Sequence, residues 1–333
     1  MMGGKIQKLL EETGKFVIDG SMSSALEEMG CDLNDSLWTA KVLLQEPELI
    51  KEVHKYYFRA GADCGITCTY QATVDGFMRK GLSRKAAEDT IRNAVRLFLE
   101  ARDEWWNEEE HTGRAYPLCL GSVGPYGACL ADGSEYCGNY GISRDELKDF
   151  HETQIRLVHE GGADVILCET VPSLEEALIQ SEICEEKGLE YWISFSCQDG
   201  HRTCEGQEIG ACAEALRDRP HLQMIGVNCT MPQYVESLIR EMVEKGDRPV
   251  AAYPNNGSVY DPVTKTWRAP EAWQGFYSYA LSYYRAGAAA VGGCCTTLAP
   301  EISAARRARD YFLAASPKQA SMFDLPSPVK VWK

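Results

Sequence analysis

The chain has 333 residues, of which 44% are hydrophobic and 25% are charged, and its formal net charge at pH 7 is −15. This is the composition of an ordinary globular protein, and no apolar run reaches the ~20 residues of a membrane span. The acidic charge argues against a nucleic-acid partner, because phosphate binding needs clustered Lys and Arg. The N-terminus has no basic start or apolar centre typical of a secretory signal, so we expect a cytoplasmic protein.

Short apolar or β-branched segments recur along the chain, bounded by Gly, Pro or Asn and separated by enough residues for a helix. This alternation predicts strands connected by helices, and eight such units favour a closed barrel. We therefore expect an α/β fold, a single (β/α)8 TIM-type barrel. The predicted strands are Phe16–Asp19, Cys64–Tyr70, Leu118–Val123, Asp164–Glu169, Tyr191–Cys197, Met224–Cys229, Pro249–Tyr253 and Ala289–Cys294.

The segments between the strands carry helix signals. Gly61, Gly162 and Gly287 occupy equivalent places just before a predicted strand, where glycine can end a helix in the left-handed conformation. Ser143-Arg-Asp-Glu predicts a capping box. No low-complexity linker divides the chain, so we predict one barrel domain over residues 1–315 and a short C-terminal tail over residues 316–333.

In a TIM-type barrel the functional residues lie at the C-terminal ends of the strands. Polar and sulfur-bearing residues accumulate at these ends in this sequence, although folding does not require them there. Thr67, Asn228 and Tyr253 are among them, and we predict that they contact the substrate.

The most specific pattern is a set of three cysteines. Cys229 ends the sixth predicted strand, and Cys294 and Cys295 end the eighth, behind two glycines. Three thiolates suit zinc and leave its fourth tetrahedral position open, as in a catalytic site. The alternatives are a buried cysteine pair with an unrelated third cysteine, or a disulfide between the two neighbours.

Other cysteines also lie near strand ends, at Cys68, Cys129, Cys168 and Cys197. None has a second cysteine beside it, and no adjacent Lys or Arg would lower its pKa. We interpret these four as packing residues, since a free cysteine behaves as a small hydrophobe.

Two carboxylates, Asp19 and Glu169, end the first and fourth predicted strands. They could converge on the ammonium group of a substrate; the simpler alternatives are a helix cap for Asp19 and an ion pair for Glu169. Aromatic residues near the same rim could line a pocket that attracts a cation. These residues are Trp38, Tyr70, Tyr126 and Tyr253.

At these strand ends the sequence resembles the homocysteine S-methyltransferases, from about Phe16 to the helix after Cys295. The resemblance therefore covers nearly the whole chain, and its last two motifs are highly specific. The matching segments are Asp19-Gly-Ser-Met with Ser36-Leu-Trp, Thr69-Tyr-Gln-Ala, Gly121-Ser-Val-Gly-Pro-Tyr-Gly, Cys168-Glu-Thr, Gly226-Val-Asn-Cys and Gly292-Gly-Cys-Cys.

The resemblance implies that Cys229, Cys294 and Cys295 bind Zn²⁺ and are the catalytic residues, with the substrate thiol in the open position. The implied reaction moves a methyl group from a sulfonium donor to L-homocysteine and forms methionine. Tyr126-Gly-Ala and the segment from Asp132 to Tyr136 are similar to the branch that uses S-methylmethionine or S-adenosylmethionine as donor.

The resemblance also implies how the amino acid is held. Asp19 and Glu169 would bind its ammonium group, and backbone amides near Gly20 and Ser21 would bind its carboxylate. The expected partners are therefore small molecules, homocysteine and a sulfonium donor, and the oligomeric state is left open.

Three alternatives stay open at this point. The same reaction on selenocysteine has the same sequence requirements. A non-catalytic zinc-binding or thiol-binding barrel would keep the cysteines but leave the carboxylates without a role. A lyase or aldolase would need a Lys or His at a strand end, and none of the eight ends has one.

Overall fold

The computed structural model of the protein describes residues 3–33, 39–130, 132–261, 266–268 and 275–315. Eight parallel strands form one sheet in the order β1-β10-β7-β6-β5-β4-β3-β2. A parallel bridge between Ile18 and Cys64 joins β1 to β2 and closes the ring. The barrel strands are β1 (Phe16–Val17), β2 (Cys64–Ile66), β3 (Leu118–Val123), β4 (Val165–Val171), β5 (Tyr191–Phe195), β6 (Leu222–Asn228), β7 (Val250–Tyr253) and β10 (Ala290–Val291).

Helices cover the outside of the strands, so the predicted (β/α)8 barrel is confirmed. Among the described residues, none of the helices is long and apolar enough to cross a membrane. The helices are α1 (Lys5–Thr13), α2 (Met22–Glu28), α3 (Thr39–Gln45), α4 (Pro47–Ala60), α5 (Val74–Arg79), α6 (Arg84–Glu108), α7 (Arg144–Gly161), α8 (Leu174–Lys187), α9 (Ile209–Ala215), α10 (Pro232–Lys245), α11 (Phe276–Ala286) and α12 (Ala299–Ala314).

Local signals set several helix ends as predicted. Gly61, Gly162 and Gly287 follow α4, α7 and α11 with φ of 117°, 103° and 116°, a conformation that a side chain would strain. Ser143 and Glu146 form the predicted capping box of α7.

Two features differ from the prediction. The barrel strands are mostly shorter than predicted, because pairing stops where the chain turns into the loops at the mouth. An antiparallel hairpin of β8 (Val259–Asp261) and β9 (Thr266–Arg268) follows β7, and we had not predicted it. The predicted tail over residues 316–333 lies outside the described residues.

Side-chain alternation along the strands decides which residues face the barrel interior. Successive side chains of a strand point to opposite faces, and Val165 and Leu167 belong to the interior cluster whereas Ile166 and Cys168 pack against the helices. The same alternation places Glu169 inside, at the C-terminal end of β4. The interior is thus apolar at its base and polar at its mouth.

The opposite end of the barrel is held by ion pairs. Asp63 is fully buried and accepts hydrogen bonds from Val17 N (2.9 Å), Arg309 Nη1 (2.8 Å) and Arg306 Nη1 (3.2 Å). Because Asp63 precedes β2 and the arginines lie on α12, these contacts tie the last helix to the first strands.

Candidate active site

The three predicted cysteines come together at the mouth of the barrel. The Sγ atoms of Cys229, Cys294 and Cys295 lie within 4.8 Å of one another, and those of Cys229 and Cys295 are 3.6 Å apart. Each of the three is partly exposed and none is in a disulfide. Within the described part of the chain this is the one group of His, Cys, Asp or Glu side chains close enough to hold a metal ion.

Backbone geometry makes this convergence possible. A Cβ atom on Gly292 would lie 2.5 Å from Ile18 Cβ, and one on Gly293 would lie 2.1 Å from Thr297 Oγ1. Both glycines are therefore needed to bring the following cysteines against the end of β1. Cys229 itself has a φ of +46°, which is unusual for a non-glycine residue, and backbone outliers of this kind cluster at functional sites.

The three cysteines shift one another's pKa values. The neighbouring thiols of Cys294 and Cys295, and the hydroxyl of Tyr136, hold the pKa of Cys229 well below its usual value. Cys229 in turn raises the pKa values of the other two thiols. Among the described residues, no lysine or arginine is one of the main groups that act on the pKa of Cys229.

Asn228 connects this cluster to the end of β4. Its Oδ1 accepts a hydrogen bond from Thr170 N, and its Nδ2 donates one to Thr170 Oγ1, both at 2.8 Å. The same Nδ2 lies 3.9 Å from Cys294 Sγ. Asn228 is fully buried and Thr170 has a φ of +60°, so the amide holds a strained residue and orients one of the thiols.

Asp19 lies at the end of β1 with one oxygen unpaired. Its Oδ2 accepts a hydrogen bond from Ile66 N at 2.9 Å, whereas its Oδ1 is buried without a partner among the described residues. The side chain is 2% exposed. Burial, with a contribution from the charge of Glu169, raises the pKa of Asp19 well above its usual value.

Glu169 lies near the C-terminal end of β4 and faces the same space. Its Oε1 accepts a hydrogen bond from Ser122 Oγ at 2.5 Å, and burial raises its pKa from 4.5 to about 7. The hydroxyl of Tyr253 is also buried and has no partner within the described part of the chain. Such unpaired buried polar atoms cost folding free energy unless a ligand satisfies them. Among the described residues, Asp19 does not cap a helix and Glu169 forms no ion pair, so the structure does not support these two alternatives.

The structure gives less direct evidence for the other predicted substrate residues. Thr67 Oγ1 lies 2.7 Å from Thr69 Oγ1 and accepts a hydrogen bond from Ser122 N, so its hydroxyl joins β2 to β3. The amide of Ser21 donates to Thr297 O at 3.1 Å, which leaves the Gly20 amide as the predicted contact for a carboxylate. Trp38 lies outside the described residues.

The cysteines interpreted as packing residues stay apart from the cluster. Cys168 faces the helices and is fully buried, and Cys68 and Cys197 are also buried. Burial raises the pKa values of Cys129, Cys168 and Cys197, so these thiols are not activated.

Sequence reasoning did not identify Ser122, Thr170 or Tyr136 as site residues. Strand alternation could have found Ser122, which lies two residues beyond the inward-facing Leu120. Thr170 and Tyr136 stand in segments that carry the family resemblance, but no local signal gives their roles, because these roles depend on residues distant in the chain.

Comparison with known proteins agrees with this site. A profile of the homocysteine S-methyltransferase family matches residues 16–309. The homocysteine S-methyltransferase YbgG of Bacillus subtilis is 46% identical over 88% of this chain and 93% of its own length. A selenocysteine Se-methyltransferase of Brassica oleracea is 38% identical over 90% of each chain.

A solved structure shows the same fold. The homocysteine methyltransferase MmuM of Escherichia coli, in its metallated form, superposes with a TM-score of 0.81 at 34% identity, over 91% of this chain and 99% of that one. The family profile, the sequence identity and the fold agree over nearly the full described length. The chain therefore belongs to the homocysteine S-methyltransferase family.

Proposed function

We propose that this chain transfers a methyl group from a sulfonium donor, S-methylmethionine or S-adenosylmethionine, to the thiol of L-homocysteine and forms methionine, with Zn²⁺ at Cys229, Cys294 and Cys295. The observation that carries the proposal is the convergence of three thiols at the barrel mouth beside two buried carboxylates that have no basic partner among the described residues.

The cysteine cluster fits zinc. Tetrahedral zinc with Zn–S bonds of about 2.3 Å places its sulfur ligands about 3.8 Å apart, and Cys229 Sγ and Cys295 Sγ are 3.6 Å apart. Three ligands leave one position open, as in catalytic zinc sites. The metallated Escherichia coli relative supports the same reading. When bound, zinc would keep a substrate thiol deprotonated and therefore nucleophilic.

The residues around the cluster hold its shape. Asn228 fixes Thr170 at the end of β4 and lies beside Cys294 Sγ. Outer contacts of this kind orient metal ligands and change metal affinity about 10–100-fold. We therefore assign Asn228 to positioning within the substrate site.

The two carboxylates suit the ammonium group of an amino acid. Within the described part of the chain, Asp19 Oδ1 is unpaired and both carboxylates are buried without a cation. An ammonium group between them would supply the missing charge and hydrogen bonds. Tyr253 would close the pocket, with its buried hydroxyl beside Glu169.

The charges of the reactants favour the reaction in this setting. The acceptor sulfur is anionic and the donor sulfonium is cationic, so the two charges cancel as the methyl group moves. The bond from the methyl carbon to the donor sulfur breaks with its electron pair remaining on that sulfur, and a new bond forms to the homocysteine sulfur. A site that excludes water favours such a loss of charge, and holding both sulfurs in line lowers the entropic cost.

Zinc content and methionine formation together test the proposal. Purified protein is assayed with homocysteine and each sulfonium donor separately, before and after a chelator, and again with selenocysteine as acceptor. We expect bound zinc and chelator-sensitive methionine formation with at least one donor. Zinc binding without turnover from either donor would favour the non-catalytic alternative, and a strong preference for selenocysteine would change the acceptor.

Matched variants link the activity to the cluster. Cys294→Ala and Cys229→Ser should lose both zinc and activity while keeping the circular dichroism of the wild type. Cys212→Ala, which truncates a buried cysteine of α9 outside the cluster, should keep both. Full activity in a zinc-free variant would contradict the mechanism.

A further inference from the structure

The described residues between β3 and α7, 124–130 and 132–143, form one wall of the barrel mouth and are called here the β3–α7 loop. It contains two turns of 3-10 helix, Tyr126–Cys129 and Ser134–Tyr136, and the second turn packs against β4. A Cβ atom on Gly127 would lie 2.5 Å from Glu135 N, so the two turns touch backbone to backbone. This contact folds the loop back toward the cysteines.

Buried hydrogen bonds anchor the β3–α7 loop near both ends. Glu176 of α8 is fully buried; its Oε1 accepts from Tyr126 N at 2.7 Å and its Oε2 accepts from Tyr140 Oη at 2.9 Å. His151 lies 2.8 Å from the same carboxylate. Because the Glu176 side chain hydrogen-bonds near both ends of the loop, it fixes the position of this wall of the barrel mouth.

The loop presents Glu135 and Tyr136 to the cysteine cluster. The Tyr136 hydroxyl helps to lower the pKa of Cys229, although Tyr136 is 42% exposed, so the ring extends from solvent toward the thiols. Glu135 Oε2 is buried without a partner among the described residues. Burial raises the pKa of Glu135, and among the described residues no cation is one of the main groups that act on it.

Glu135 therefore places a buried carboxylate oxygen on this wall without a partner among the described residues. Leaving a buried polar atom unpaired costs folding free energy, and such an atom in a native structure points to a functional role. Asp19 and Glu169 already account for the one ammonium group of homocysteine. A third carboxylate, on a separate wall, calls for a second cation.

We propose that Glu135 and Tyr136 form the subsite for the methyl donor, where the Glu135 carboxylate pairs with the positive charge of a sulfonium group and the Tyr136 ring covers it. The inference rests on the proposed function and adds to it the residues that recognise the donor. In-line transfer needs the methyl carbon about 3–3.5 Å from the acceptor sulfur, which places the donor beside the cysteines, where this pair lies. Aromatic faces and carboxylates both attract such a cation.

The reaction removes the positive charge from the molecule bound in this subsite. When the methyl group leaves, its bonding electron pair stays on the donor sulfur, and the sulfonium becomes a neutral thioether. Glu135 thus attracts the donor more strongly than the demethylated product. Because the positive charge is already declining in the transition state, this attraction lowers KM for the donor without raising kcat.

Kinetics of Glu135→Gln with varied S-methylmethionine and saturating homocysteine test the proposal. We expect KM for the donor to rise 10-fold or more, kcat to stay the same or rise slightly, and KM for homocysteine to stay within two-fold of wild type. Asp132→Asn is the matched control, since Asp132 is an exposed carboxylate of the same loop that accepts from Ser134 N and should leave all three constants unchanged. A donor KM within two-fold of wild type in Glu135→Gln would overturn the proposal.

A direct binding measurement separates this proposal from the proposed function. Calorimetry of the zinc-loaded protein compares S-methylmethionine with methionine, which lacks the positive sulfur. We expect wild type to prefer the sulfonium at least 10-fold and Glu135→Gln to lose that preference; an equal affinity of wild type for both would overturn the subsite. If wild type turns over and Glu135→Gln has the same donor KM and the same preference for the sulfonium, the subsite alone is refuted. If wild type shows no turnover, the proposed function is refuted.

Two further variants test the aromatic cover. Tyr136→Phe keeps the ring and should keep the preference for the sulfonium, whereas Tyr136→Ala should lower it. A full preference in Tyr136→Ala would remove the ring from the subsite.

Discussion

Replacing Glu169 by glutamine should strengthen the fold and weaken substrate binding at the same time. Burial raises the pKa of Glu169 from 4.5 to about 7, so the charged carboxylate destabilises the folded state. This cost is absent well below pH 4.5 and grows as the pH rises toward 7. From the two pKa values it amounts to about 0.8 kcal/mol at pH 5 and about 3 kcal/mol at pH 7.

Glu169→Gln carries no charge and should therefore exceed wild type in stability by these amounts. For a chain of this length, 3 kcal/mol corresponds to a rise in Tm of about 4 °C. The affinity for homocysteine should fall, because removing the charged partner of a buried ammonium group costs about 2–5 kcal/mol, or ~30-fold and more in Kd.

Urea unfolding of reduced, metal-free protein at pH 5 and pH 7 measures the stability, and calorimetry of the zinc-loaded protein measures homocysteine affinity. Glu176→Gln is the control: this carboxylate is as deeply buried but has three hydrogen-bond partners, so its variant should lose stability. Equal stability of Glu169→Gln and wild type at both pH values would refute the electrostatic argument. Unchanged homocysteine affinity would refute the ammonium site.

Three other variants test separate parts of the structure. Asn228→Ala should lower zinc affinity about 10–100-fold, measured by chelator competition, because it frees Thr170 and the neighbouring thiol; an unchanged affinity would exclude the positioning role. His54 is buried against Phe98 with both ring nitrogens unpaired among the described residues, and burial lowers its pKa from 6.5 to about 3. Wild type should therefore lose about 2 kcal/mol relative to His54→Leu between pH 7.5 and pH 5, and parallel urea-unfolding profiles would contradict this. Asp63→Asn should destabilise the fold by about 3–5 kcal/mol with unchanged kcat at 25 °C, since Asp63 lies at the end of the barrel away from the site; a changed kcat would show coupling between the two ends.

Much of the site followed from strand ends alone. Once the barrel is recognised, the C-terminal end of each strand must lie at the same mouth, so Cys229 and the pair Cys294 and Cys295 were expected to meet. The structure confirms their proximity. The same rule placed Asp19 and Glu169 at the mouth, although whether they bind an ammonium group stays a prediction.

The sequence by itself determined the features that depend on short-range rules: the eight strand-and-helix units, the glycines that end α4, α7 and α11, the capping box of α7, and the end of the barrel where the predicted site residues lie. Only the tertiary structure decided which polar atoms are left unpaired. Asn228 uses its amide on Thr170, 58 residues away, and the loop that carries Glu135 and Tyr136 is held by Glu176 from another helix. Such choices depend on contacts between distant residues, because a hydrogen-bonding group is satisfied or left free only when its surroundings have assembled.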